Sequence, residues 1–145
     1  MSDLEDAVRR EVEELHRFFV AWFAGEADKA ELDSVFASHL DDGVLYITPD
    51  GNRIEHAGLL DMLRGTHGAN ADFRIQVRDV RILRDLGEHL IVTYSEWQKQ
   101  ARFSEPSNNA RFTTALMTKA QPFKWLHIHE TWLPEAERAS DPFDF

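Results

Sequence analysis

The chemically capable residues of this chain gather in its second half. Glu96, Arg111, His127 and His129 bring a carboxylate, a guanidinium and two imidazoles into segments that read as β-strand. Alternate side chains of a strand face opposite sides. Trp125, His127, His129 and Thr131 therefore point one way on the last strand, and Leu126, Ile128, Glu130 and Trp132 the other. Earlier strands sort in the same manner into Leu90, Val92, Tyr94, Glu96 and Gln98, and into Arg111, Thr113, Ala115 and Met117.

Two readings stand for each candidate. An imidazole is the side chain best suited to general acid or base work near neutral pH, so His129 is a candidate for that role, or it is a hydrogen-bonded core residue. Arg111 can clamp a carboxylate through two parallel hydrogen bonds, or it forms a cross-strand ion pair with Glu96. Desolvation would raise the Glu96 pKa and Arg111 would lower it. His127 and His129 also invite a metal, but a third ligand is needed and Glu96 is the only obvious one; no metal and no cofactor is expected. No Ser-His-Asp arrangement, phosphate loop or dinucleotide fingerprint appears. His16, His39, His56, His67 and His89 fall on predicted helices, loops or turns and are expected at the surface.

The elements that must position these groups are legible from periodicity. Val8, Val12, Leu15, Phe19, Trp22 and Phe23 recur at steps of three and four, which predicts an amphipathic helix over residues 4–24 ending at Gly25. A shorter helix is expected over 27–38 and a third over 55–64, with a short strand over 44–48 and a Pro-Asp-Gly-Asn turn between them. From residue 72 the period becomes two. Long strands are expected over 73–83, 89–100, 110–120 and 124–133, the last pair forming a hairpin. Helices first and strands afterwards indicate an α+β fold, with N-terminal helices packed on an antiparallel sheet. One domain is expected over residues 1–133, followed by an acidic, loosely held tail over 134–145.

Composition narrows the partners. The 145 residues carry a net charge of −10, which repels nucleic-acid phosphates and anionic membranes, so neither is expected as a partner. No apolar run approaches the roughly 20 residues of a membrane helix. The acidic start lacks the apolar core of a secretion signal, and a cytoplasmic protein is expected. With no Cys there is no disulfide, but ten Phe and four Trp supply large burial units.

The order of elements resembles the nuclear-transport-factor-2-like superfamily, which includes ketosteroid-isomerase-like and polyketide-cyclase-like proteins. Two stretches carry the resemblance. Tyr46-Ile47-Thr48-Pro49-Asp50-Gly51 precedes a helix, as in that family. Trp125-Leu126-His127-Ile128-His129-Glu130-Thr131-Trp132 is similar to the final strand of the branch related to the calcium/calmodulin-dependent kinase association domain. Trp125 and His129 match that strand's Trp and first His; Thr131 and Leu133 stand where a second His and a Ser are usual. The Asp base and the Tyr and Asp donors of ketosteroid isomerase find no matching set here.

The resemblance implies a cone-shaped fold with a curved sheet around a central pocket. It places the His129 set on the concave face, joined by Tyr94, Glu96, Arg111 and Thr113, with Tyr46 and Trp22 closing the pocket. The expected function is binding of a small molecule, a carboxylate or a small polar-aromatic compound, through Arg111, Tyr94, Tyr46, Trp22, His127 and Thr113. The alternative is a lyase- or isomerase-like enzyme with His129 or Glu96 as general base. The other sheet face, carrying Trp97, Phe112, Leu116, Leu126, Ile128 and Trp132, is too apolar for water and predicts a homodimer. A β-bulge in any strand would exchange the two faces beyond it.

Overall fold

In the computed structural model, which describes residues 2–140 and 142–145, helices cover one face of an open six-stranded sheet. Helix α1 spans Asp3–Ala24. The Ser2 hydroxyl accepts a hydrogen bond from the Glu5 N–H (3.1 Å), and Asp3, Glu5 and Asp6 place negative charge where the helix dipole is positive. Gly25 ends the helix in the left-handed region (φ 76°), and a Cβ there would lie 3.3 Å from the Gly68 backbone. The buried stripe holds Val8, Val12, Leu15 and Trp22, as the spacing predicts, but Phe18 and His16 are buried with them while the expected Phe19 and Phe23 are only half-buried. His16 follows Val12 by one helical turn, so the helix that buries Val12 buries it too.

The expected second helix is not a regular one. Leu32–Phe36 is a π-helical turn and Ala37–His39 a 3-10 turn, with the Ala37 N–H shared between the Leu32 and Asp33 carbonyls. Leu32 and Phe36 still point inward. Strand β1 (Leu40–Ile47) begins earlier than the sequence suggests, and β2 (Arg53–Glu55) is a short antiparallel partner across the Pro49–Asn52 turn. Gly51 takes φ 87° there, a conformation that favours glycine. Helix α2 (His56–Arg64) buries Leu59, Leu60 and Leu63. The long strands are β3 (Arg74–Asp85), β4 (His89–Lys99), β5 (Asn109–Thr118) and β6 (Trp125–Trp132).

The strand order is β2-β1-β6-β5-β4-β3. Every neighbouring pair is antiparallel except β1 and β6, which run parallel, so the sheet is mixed rather than purely antiparallel. The expected hairpin of β5 and β6 is present. The core lies between α1, α2 and the sheet, built on Trp22, Phe18, Phe36, Leu90, Val92, Met117 and Trp125. No helix among the described residues is long and apolar enough to cross a membrane.

Two sequence expectations about the outer face change. Ile128 and Trp132 turn to the helix side: Ile128 packs on the core and the Trp132 ring lies 5.0 Å from the Arg111 guanidinium. Trp97 is buried rather than open, beneath the Arg78 guanidinium at 4.3 Å and beside the Phe143 ring at 5.4 Å. That last contact belongs to the tail, which forms a short helix α3 (Glu135–Ala139) before returning to the sheet.

Candidate functional site

A polar cluster is buried between α1 and the sheet. It is built by five elements: His16 from α1, Tyr46 from β1, Tyr94, Glu96 and Gln98 from β4, Asn109, Arg111 and Thr113 from β5, and Glu130 from β6. Strands β4 and β5 pair without a register shift, so Tyr94 faces Thr113, Glu96 faces Arg111 and Gln98 faces Asn109. The alternation argument places these side chains correctly on one face.

Strand β6 departs from that regularity. Between Met117↔Trp125 and Leu116↔His127, β5 advances by one residue and β6 by two. Leu126 is the extra residue of a bulge. Beyond it the faces exchange: Glu130 pairs across from Thr113 and points inward, whereas His129 lies across from Thr114 and is exposed. His127, half-buried, shares that outer face, its ring 6.3 Å from the His129 ring. The placement of His129 and His127 with Glu96 and Arg111 is therefore corrected. Among the described residues no three His, Cys, Asp or Glu side chains are grouped to hold a metal ion.

Trp22 is also apart from the cluster. Its indole N–H donates to the Leu63 carbonyl (2.8 Å), and its ring meets the His67 ring edge-on at 4.6 Å, so it ties α1 to α2. Tyr46, Tyr94 and Thr113 do join. The Tyr46 hydroxyl donates to Glu130, and the Thr113 hydroxyl lies 3.5 Å from the other oxygen of the same carboxyl. The Tyr94 ring packs edge-on against His16 (5.5 Å) and Trp125 (6.5 Å).

Arg111 organises the rest. Its Nη1 donates to Glu130 (3.0 Å), and its Nη2 donates to the side-chain oxygens of Asn109 (2.9 Å) and Gln98 (3.3 Å). A guanidinium can only donate. Each amide must therefore turn its oxygen to Arg111 and its nitrogen away. The Asn109 nitrogen then donates to the Pro106 carbonyl (3.2 Å) and the Gln98 nitrogen to Glu96. The second oxygen of Glu96 meets Nε2 of His16 at 2.9 Å. The ion pair of Arg111 is thus with Glu130, and Glu96 pairs with His16. The Nε of Arg111 is buried without a hydrogen-bond partner among the described residues.

The two carboxyls are driven apart. Burial first, and then the nearby charge of Glu96, push Glu130 up to about 7 against the pull of Arg111 and Tyr46. Burial acts on Glu96 in the same direction, but His16 and Arg111 override it and hold Glu96 well below the usual carboxylate range. Burial opposes charge on His16, yet the Glu96 carboxylate outweighs it and raises the imidazole. Burial and the neighbouring carboxylates hold both phenols, Tyr46 and Tyr94, far above their ordinary value. One carboxyl is fixed as an anion and the other is poised to exchange a proton, the pattern that divides roles between paired acids.

The polar groups bond to one another rather than lining an open central pocket. One neighbouring side chain and one of the cluster's own mark its two edges. Trp132 is half-buried over Arg111, held by its indole N–H on Asp50 (3.2 Å) with the Arg138 guanidinium 6.0 Å from its ring. At the opposite end His16 takes part in lining a cleft of about 490 Å³ between α1 and β3.

Glu130, His16 and Asn109 are the residues that sequence reasoning misses. His16 had a signal, its helical spacing from Val12. Glu130 had only its alternation partner Trp132, and the bulge was needed to turn both inward.

No family model and no curated protein matches the sequence. Solved structures do. An NTF-2-like protein of unknown function from Pseudomonas aeruginosa superposes with a TM-score of 0.77 at 22% identity, covering 88% of this chain and 99% of that one. A protein with a cystatin-like fold from Caulobacter vibrioides reaches 0.65 at 11% identity over 97% of both chains. A candidate calcium/calmodulin-dependent protein kinase type II association domain from Thiobacillus denitrificans reaches 0.56 at 21% identity, over 81% of this chain and 90% of that one. With helices on one face of an open mixed sheet, and these neighbours, the chain has the α+β fold of the nuclear-transport-factor-2-like superfamily.

Proposed function

We propose that the buried cluster binds a small uncharged molecule and exchanges a proton with it, in the manner of an isomerase or lyase. Glu130 serves as base and acid, and Tyr46 and Arg111 stabilise the anion that forms. The observation that carries this reading is the burial of two carboxyls in one cluster with different partners, Glu130 on Tyr46 and Arg111 and Glu96 on His16 and Gln98, and burial pushes Glu130 up toward neutrality. A carboxyl near neutrality is matched to proton abstraction at physiological pH. Electrostatics favour an uncharged substrate over the carboxylate expected from Arg111 alone. Two carboxyls already face that guanidinium, and a third negative group would enter against both. Neither His129 nor Glu96 suits the base: the first is on the outer face and the second is held as a hydrogen-bonded anion.

A substrate must displace cover to reach Glu130, which is only 5% exposed. Trp132 and Tyr46, both half-buried, are the side chains whose movement would open the way. The test is deuterium exchange at the α-carbon of small enolisable ketones, followed by NMR, in wild type and Glu130→Gln. Wild type should exchange and the variant should lose at least a hundredfold. Failure of the wild type to exchange any ketone, with thermal stabilisation by small carboxylates instead, would replace this reading with carboxylate binding.

We also infer a homodimer formed through the outer face. Phe112 is 40% exposed there and Leu116 and Leu126 are half-buried beside His127 and His129. Light scattering at micromolar concentration should give twice the chain mass; a monomer would rule it out.

A further inference from the structure

His16 is the buried group to which the proposed reaction assigns no step. Its Nδ1 lies 2.7 Å from the Val12 carbonyl, an acceptor that compels Nδ1 to carry a proton. Its Nε2 faces Glu96 at 2.9 Å, so the pair holds one further proton between two atoms. What surrounds Glu96 decides where that proton rests. Arg111, a donor only, turns the Gln98 oxygen toward itself and the Gln98 nitrogen onto Glu96. Glu96 therefore accepts a hydrogen bond at one oxygen, with a guanidinium on the neighbouring strand, and both stabilise its anion. The proton sits on His16.

We propose that His16 is a positioning residue, a buried imidazolium that keeps Glu96 ionised and thereby leaves Glu130 as the carboxyl free to take and give a proton. The proposal rests on the proton-transfer reading of the same cluster, but its charges can be tested without any substrate.

Every element packed around the cluster supplies a charged or titratable group to the balance. Helix α1 gives His16, β1 gives Tyr46, β4 gives Tyr94 and Glu96, β5 gives Arg111, and β6 gives Glu130. With both phenols neutral, His16 and Arg111 supply two positive charges and Glu96 one negative charge. Loss of the Glu130 proton makes the interior neutral, and its return leaves one net positive charge. Without the imidazolium the order would reverse: a Glu96 anion would lose its direct counter-ion and Arg111 would be shared by two carboxylates. The cleft between α1 and β3, with Glu13, Arg17, Glu26 and Arg74 on its walls, gives His16 a route to solvent from which to load its proton.

The experiment is heteronuclear NMR on the full chain. With ¹⁵N-labelled histidine at pH 8, both ring nitrogens of His16 should be protonated. An unprotonated Nε2 would overturn the proposal. With ¹³C-labelled glutamate, His16→Gln should lower the Glu130 midpoint by at least one pH unit and raise that of Glu96 by a similar amount. Glu96→Gln, which preserves shape, should lower the Glu130 midpoint equally and serves if the His16 variant fails to fold. An unmoved Glu130 midpoint in Glu96→Gln would also overturn the proposal. If the titrations shift as expected while wild type exchanges no ketone, the proton-transfer reading fails and the charge assignment of His16 stands.

Discussion

Strands β4 and β6 flank the same strand, β5, and teach opposite lessons. Strand β4 pairs with β5 from His89↔Thr118 to Gln98↔Asn109 in unbroken register, and a period of two correctly places every polar group on it. Strand β6 begins in the same way, with Trp125 opposite Met117 and fully buried, and then takes in one extra residue. The result is that a histidine pair is presented to the outer face and a glutamate is sealed inside. A single bulge thus selects which titratable group enters the cluster.

The comparison breaks most visibly at Arg111, which holds the β4 and β6 contributions together. Arg111→Ala should lower stability by about 3 kcal/mol or more, because it leaves Glu130 buried without its cation and the Gln98 and Asn109 side-chain oxygens without their donor. Urea denaturation measures this, and a loss below about 1 kcal/mol would mean that the cluster opens to water when Arg111 is removed.

A smaller effect should follow pH. Glu130 has a folded value of about 7, above its ordinary 4.5. The native state therefore holds a proton that the unfolded state releases between these values, and stability falls as pH rises through that window. His16, also raised, contributes stability that is present below its ordinary 6.5 and is lost as pH passes its folded value. Glu96 is lowered, so its contribution is lost only on acidification below about 4.5. The melting temperature should be about 5 °C higher at pH 5 than at pH 8. In Glu130→Gln the difference should shrink; an equal difference in both proteins would place the dependence elsewhere.

The smallest effect is expected on the outer part of β6. His129→Ala should change stability by about 0.5 kcal/mol or less and leave ketone exchange unaltered, since the side chain is exposed. A large loss of exchange would return His129 to the site and contradict the inward placement of Glu130.

Much of the fold is legible in the sequence. The apolar stripe of α1, the inward Leu59, Leu60 and Leu63, and the face shared by Tyr94, Glu96, Arg111 and Thr113 all follow from period and polarity. Such patterns are readable because each residue's side is set by its near neighbours along the chain. His16 was readable by the same rule and was passed over because histidine on a helix is so often a surface residue.

What composition and periodicity determined was therefore the kind of fold, its layers and the regular strands. Only the tertiary structure decided the parallel β1–β6 pairing, the bulge at Leu126, and hence the exchange of His129 for Glu130. It also decided the proton arrangement, because the donor-only Arg111 orients amides from two strands and ties a histidine of α1 to a carboxylate 80 residues away. These features depend on how separate segments meet, a property that no local spacing in the chain records.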